Sequence, residues 1–434
     1  MASSGVAVPR NVVSPGVWLA SAALLPLQLL ILRPVPLYLL ALTAMLFRPP
    51  DLDFYGIDRI AFVLLISATA LRVVVLRPPI VFSGTVTWPL LALFLMSLAG
   101  LLLSPYHAEE WSIFVAKWVV PFVLFHVAQL VFNDVRSLRR LETYLLIVLG
   151  YLVLTAIFSL LDIRSLIFPR YILDENIGIH FDRARGPFLQ AVANGVAIVL
   201  LSFVALDSYR RGRLHGLLAL GFVMAIPLAV LATKTRAVWL SFAAAVLVLC
   251  SSQRRVRRAC IFLLAFATLV GGSLAFLGRP SVTDRLEERS PVEFRLLLYQ
   301  TGWDMLREKP FFGWPAADIQ PELQKRMDGT HPQNLAFHNN YLEVAVNQGL
   351  IGLTLYLWLF VDLFRLAQKR SDAGNSSCHF LDSSFRPLWP VLVAVYAINA
   401  CFVVMNYQFV NAVLFTLAGI LAAQNRTAGE LEPC

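Results

Sequence analysis

Apolar stretches of about twenty residues recur from Val17 to Ala423 with short polar breaks and one long one, Arg279 to Asn340, and that repetition leaves few folds open. A hydrocarbon core about 30 Å thick takes roughly 20 apolar residues wound as a helix. Inside lipid, each backbone N–H and C=O of such a segment must be bonded within the protein. Hydrophobic residues make up 58% of the chain and charged ones 15%, and mean hydropathy is +0.69. An ordinary soluble domain is thereby excluded. The runs predict spans over 59–76, 86–103, 112–132, 141–163, 190–207, 214–232, 237–252, 259–278, 341–364, 388–405 and 407–424. A further run, Val17 to Phe47, is interrupted at Arg33-Pro34 and reads either as one long kinked helix or as two short ones.

The net charge of +9 is spread over short loops between apolar runs, so it describes topology and not a nucleic-acid-binding face. Basic clusters mark alternate loops as cytoplasmic: Arg136, Arg139 and Arg140; Arg210, Arg211 and Arg213; Arg254, Arg255, Arg257 and Arg258; Lys369, Arg370 and Arg386. Segments 104–111, 164–189, 233–236 and 279–340 then lie outside. A cytoplasmic N-terminus requires an odd number of crossings in 17–47, which favours one. The expectation is an all-α polytopic membrane protein of about 12 transmembrane helices with one large, partly helical outer loop. Its parts are an N-terminal transmembrane bundle over 1–278, the loop over 279–340, and C-terminal transmembrane helices with a cytoplasmic tail over 341–434. Only Arg10 precedes the first apolar run and no cleavage site follows it, so that run reads as a retained span. The five cysteines show neither a disulfide framework nor a zinc spacing. Within the long loop, Val292 to Lys309 has apolar residues at helical spacing, and Pro310 to Pro315 reads as the turn that ends this helix.

Three outer segments lead into helices running inward: Arg183 to Phe188, Thr233 to Arg236 and His338 to Tyr341. Each places a helix N-terminus, with its unbonded N–H groups, at one membrane face, an arrangement that attracts anions such as phosphate. Arg185 and Arg236 run against the positive-inside bias. Either they grip an anion, or they reach lipid headgroups or pair with Asp174, Glu175 or Asp182. His338 either caps a helix or serves as a base, since a positive helix end lowers the pKa of an imidazole beside it. His331 reads as a loop residue. Lys117, one turn into a span, would snorkel outward or join the anion pocket, snorkelling being the stronger reading. Asp51 and Asp53 form a D-x-D of the kind that holds a metal against a diphosphate, a weak match with no third ligand.

Phe294-Arg295 through Trp303, Pro310-Phe311-Phe312-Gly313-Trp314, Phe337-His338-Asn339-Asn340-Tyr341-Leu342 and Gln348 to Leu353 together resemble the signature of the O-antigen ligase and polymerase superfamily. That pattern is an Arg, a Trp, a Pro-x-x-Gly turn, a His-Asn pair and a Gly-x-x-Gly helix. Within the superfamily the chain is similar to the ligases, and the polytopic layout extends the likeness over most of its length. Two local departures are Trp314-Pro315 after Gly313 and Ala191 to Asn194 in place of Pro-Asn.

The resemblance implies a GT-C-like glycosyltransferase of the bacterial inner (cytoplasmic) membrane, its active site facing the periplasm. It would take a glycan from undecaprenyl diphosphate to a hydroxyl of lipid A-core oligosaccharide, inverting the anomeric centre, with no metal or other cofactor. By the same resemblance His338 is the catalytic base, and Arg185, Arg236 and Arg295 hold the diphosphate. A diphosphate leaves readily once its charge is stabilised, whereas the acceptor hydroxyl needs a base. The nearest rival is an O-antigen polymerase with the same donor. From another class, a flippase or transporter of lipid-linked sugar would keep the arginines only for docking, but no inverted repeat supports it. Besides donor and acceptor the expected partners are membrane lipids, with no nucleic acid; oligomeric state is not legible.

Overall fold

The computed structural model describes residues 34–48, 56–77, 84–178, 181–252, 257, 290–327, 335–368, 380–381 and 383–429. Among these, every regular element is a helix. The first three are α1 (Pro34–Leu46), α2 (Gly56–Leu76) and α3 (Gly84–Leu102). Next come α4 (Ala108–Phe114) and α5 (Val120–Val131), joined without a break by a π-helical turn over Val115–Val119. The central group is α6 (Val135–Leu160), α7 (Ala191–Arg210), α8 (Gly216–Ala232) and α9 (Arg236–Ser252). A hairpin of α10 (Ser290–Glu308) and α11 (Ala316–Arg326) leads into α12 (Asn340–Arg365), α13 (Trp389–Ala400) and α14 (Gln408–Gly429).

Seven of the described segments are long and apolar enough to cross a membrane, and α1, α8, α9 and α13 are shorter apolar helices. The chain is therefore a multi-pass membrane protein. The expected span 259–278, the first half of the 17–47 run, Asp51, Asp53 and His331 lie outside the described residues.

Two boundaries differ from the expectation. The span expected at 141–163 begins at Val135, because the Asp134 carboxylate accepts from the N–H groups of Arg136 (2.8 Å) and Ser137 (2.9 Å) in a capping box. Arg136, Arg139 and Arg140 thus sit on the first turns of α6 and not in a loop. The span expected at 388–405 stops at Ala400, and residues 401–407 leave the helix although they are as apolar as it is.

The main core is continuous through the bundle. α5 packs along α14, α3 along α12, α1 on α2, α6 on α7 and α8, and α9 on α13. The α10–α11 hairpin has a core of its own, Leu298, Met305, Ile319, Leu323 and Met327, closed by Phe337 and by Val346 of α12.

At one end of the bundle, the basic end, ion pairs tie three parts of the chain together. Arg211 lies buried between Glu142 of α6 and Asp207 of α7, with 2.8 Å from its Nε to the Asp207 carboxylate. Arg213 reaches Glu142 at 3.0 Å. Asp207 accepts from the Ser384 hydroxyl, and Arg210 donates to the Ser384 carbonyl at 3.0 Å. These arginines belong to the clusters that the charge bias assigns to the cytoplasm, so the same residues set orientation and cross-link the helices. Removing Arg211 leaves two carboxylates buried. Arg211→Ala should destabilise the detergent-solubilised protein by about 3–5 kcal/mol, as expected for one partner taken from a buried pair. A thermal melt of the variant matching that of the parent would contradict the lock.

Candidate active site at the far end of the bundle

The opposite, far end is organised around the start of α12. Asn339 caps the helix, its side-chain oxygen accepting from the N–H groups of Tyr341 (3.0 Å) and Leu342 (3.1 Å). The cap requires the chain to turn sharply just before it, and His338 takes that turn at φ 51°, a left-handed conformation rare outside glycine. The half-buried imidazole is thus carried on a constrained backbone. Asn340 is fully buried. Its amide donates to the Tyr356 hydroxyl, and its carbonyl oxygen accepts from the Met405 N–H at 3.2 Å, drawing the 401–407 segment against the helix.

α10 supplies the opposing wall. Its Tyr299 hydroxyl lies 3.4 Å from the His338 carbonyl oxygen. Burial pushes that phenol up, opposed by the charge of Arg295 one turn earlier and by a hydrogen bond to Asn339. Arg295 and His338, far apart in sequence, are therefore brought to one place through Tyr299.

What holds α10 there is a break in α12. Gly349 has φ 67° and ψ −167°, a region that only glycine enters readily. The backbone groups disturbed by the break are taken up by the Pro310–Trp314 turn. Leu350 N–H donates to the Pro310 carbonyl (2.7 Å), Ile351 N–H to that of Phe311 (3.4 Å), and Trp314 N–H to that of Val346 (2.7 Å). Gly313, at φ 74°, lies against the same strip: a Cβ there would meet the Val346 oxygen at 2.4 Å, and one on Gly349 the Phe311 oxygen at 2.1 Å. Gly313 and Gly349, two of the signature's glycines, are thus the two faces of one backbone contact.

Arg236 opens α9 as an exposed residue. α9 packs on α13, where Asn399 donates to the Ser241 hydroxyl at 2.8 Å, while the start of α12 holds the 401–407 segment through Asn340. Arg185 differs from the expectation. Its guanidinium is buried and donates to main-chain carbonyls: to Ile172 through Nε (3.0 Å) and Nη2 (2.9 Å), to Ile177 through Nη1 (2.6 Å), and to Asp174. These contacts shape the 172–177 loop. Beside it Arg183, Arg164 and Lys234 face a cavity of about 500 Å³ that is also lined by Asp162, Glu175 and Asp182. Asp182 pairs with Lys234 at 3.6 Å.

Lys117 does not snorkel outward but lines a small internal cavity beside Asn340 and Tyr356. It is buried in the π-helical turn, 3.1 Å from Glu343 on the first turns of α12. Sequence reasoning passed over Glu343, Tyr299 and Arg183. Only Arg183 carried a signal, since it opens the same Arg-Ala-Arg-Gly-Pro-Phe segment.

Residues 219–357, roughly a third of the chain, match the family model described as O-antigen ligase. In this region the chain is similar to the O-antigen ligase family. No curated protein matches it at a significant level. The matched region runs from α8 into α12, so it contains Arg236, Arg295, the Pro310–Trp314 turn, His338 and Gly349, and leaves Arg185 outside. Any Cβ at Gly349 would both clash with the Phe311 carbonyl and occupy a strained backbone region. Gly349→Ala should therefore cost at least about 1–3 kcal/mol and loosen the hairpin. Faster proteolysis of the 290–327 region than in the parent is the expected readout, and equal rates would contradict it.

Proposed function

We propose that this protein is an O-antigen ligase. It transfers a polysaccharide from undecaprenyl diphosphate to a sugar hydroxyl of lipid A-core oligosaccharide, at the periplasmic face of a bacterial inner membrane. The observation that carries this reading is the strained His338, set between the Asn339 cap and the Arg295–Tyr299 face of α10.

His338 is the general base that accepts the proton of the attacking hydroxyl, and its fixed backbone holds the imidazole in one place as the nucleophile arrives. Arg295 and Arg236 take the charge that develops on the leaving diphosphate. Arg185 serves here as a positioning residue, its carbonyl contacts shaping the 172–177 loop that lines the cavity Arg183 also faces. Fixed arginines supply the charge stabilisation, so the reaction runs without a metal. A single displacement by the acceptor hydroxyl inverts the anomeric centre.

The test is transfer by purified protein with lipid-linked glycan and either core lipid or a second lipid-linked repeat as acceptor. Product on core lipid, undiminished by a chelator and inverted by NMR, is expected. Product on the lipid-linked repeat alone would make the protein a polymerase, and no covalent product with either would remove the enzymatic reading. His338→Ala should abolish transfer while donor binding persists; near-normal turnover rules out the base. His338→Gly should be equally inactive yet more stable than His338→Ala by about 1 kcal/mol, because glycine adopts positive φ without strain. Thermal melts of the two variants check this.

A further inference from the structure

The tip of the α10–α11 hairpin carries two adjacent phenylalanines turned away from its core. Phe311 is 65% and Phe312 74% exposed, with Trp303, Leu296 and Leu297 also exposed on α10. A turn facing water has no use for such a group. Its height explains it. The tip is bonded to α12 at Leu350 and Ile351, well below the helix start at Asn340. From Leu350 to Arg365 the helix rises about 24 Å, against a hydrocarbon thickness of about 30 Å. With Arg365 at the headgroups of the basic end, the tip falls about 6 Å inside the opposite hydrocarbon boundary. Leu350, Ile351, Leu357 and Trp358 are exposed on this same helix, so the phenylalanine pair continues an existing lipid-facing flank.

The main chain satisfies the same condition. Irregular backbone at membrane depth is tolerated only when its polar groups are bonded within the protein. Here the Pro310 and Phe311 carbonyls accept from Leu350 and Ile351, and Trp314 donates to Val346. Directly beside the tip, the Lys309 ammonium sits 3.8 Å from the centre of the Trp314 ring, and the Arg307 guanidinium 5.5 Å from that of Trp303. Tryptophan beside a long cationic side chain is the composition of the headgroup level.

We infer that the Phe311–Phe312 tip is a re-entrant wedge in the acyl chains of the leaflet at the far end, with Lys309 and Arg307 among the headgroup phosphates. The hairpin that carries Arg295 and Tyr299 is then held by lipid as well as by α12. The inference depends on α12 as a span and is independent of the transfer chemistry.

Nitroxide spin labels placed by Phe311→Cys and, separately, Phe312→Cys test it, in a full chain whose native cysteines are replaced by serine and which is reconstituted in phosphatidylglycerol–phosphatidylethanolamine vesicles. Lys325→Cys, on the exposed face of α11, is the aqueous reference. At 311 and 312, collisions with oxygen should exceed those with a water-soluble nickel chelate several-fold, with the ratio reversed at 325. Nickel accessibility at both tip positions equal to that at 325 would overturn the wedge. Because the two side chains face outward, either label alone gives the depth if the other variant folds poorly.

Discussion

A membrane helix cannot leave its backbone groups unbonded, and the break at Gly349 would do so in the middle of α12. Each such group left bare in hydrocarbon costs several kcal/mol, more than the strain of the turn that satisfies it. The Pro310–Trp314 turn is consequently bound to one place on α12, and the rest of the far end follows from that placement. α10 rises from the turn, its inner face packs with Phe337 and Val346, and Tyr299 arrives beside His338. An unbroken α12 would offer no free donors to the turn, and the hairpin would have only its small apolar core to hold it.

The two ends of the bundle are held by different chemistry. At the basic end cations are paired with buried carboxylates, Arg211 with Glu142 and Asp207, and the ring is closed by Ser384. At the far end the Lys117–Glu343 and Lys234–Asp182 pairs are joined by neutral amides: Asn339 on the α12 cap, Asn340 on Met405, Asn194 on the Ala184 carbonyl, and Asn411 on the carbonyls of Ala116 and Met405. Amides bond the backbone without adding charge, so the local potential at this end is set by the arginines and Lys234 against a few acidic side chains.

Much of this was legible from residue patterns, and the failures share one cause. Apolar runs and basic clusters located the helices because both reflect the bilayer, a uniform solvent that acts on every span alike. The convergence of the Arg183–Phe188, Thr233–Arg236 and His338–Tyr341 segments at one end followed from counting crossings. What the pattern missed were contacts made inside the protein. Residues 401–407 are apolar enough to pass for helix, and only the amide of Asn340 shows why they are not. Arg185 and Lys117 carry the charge that a headgroup or a phosphate would attract, yet one is taken by three main-chain carbonyls and the other by Glu343. A one-dimensional reading sees a charge and its immediate neighbours; the partners here lie up to 226 positions away, from Lys117 to Glu343.

His338 is the point where local economy is violated. A helix capped by Asn339 and preceded by a sharp turn would be cheapest with glycine at 338, since a side chain in the left-handed region is strained. Asparagine, aspartate and histidine bear that conformation more often than other side chains, though still at some cost. The chain nonetheless places there a half-buried histidine, whose carbonyl oxygen accepts from a tyrosine that is also bonded to the cap residue Asn339. Stability does not call for that choice. On the proposed reading proton transfer does, because a base carried on a backbone with little freedom has less to lose when an acceptor hydroxyl must be met at one distance and one angle.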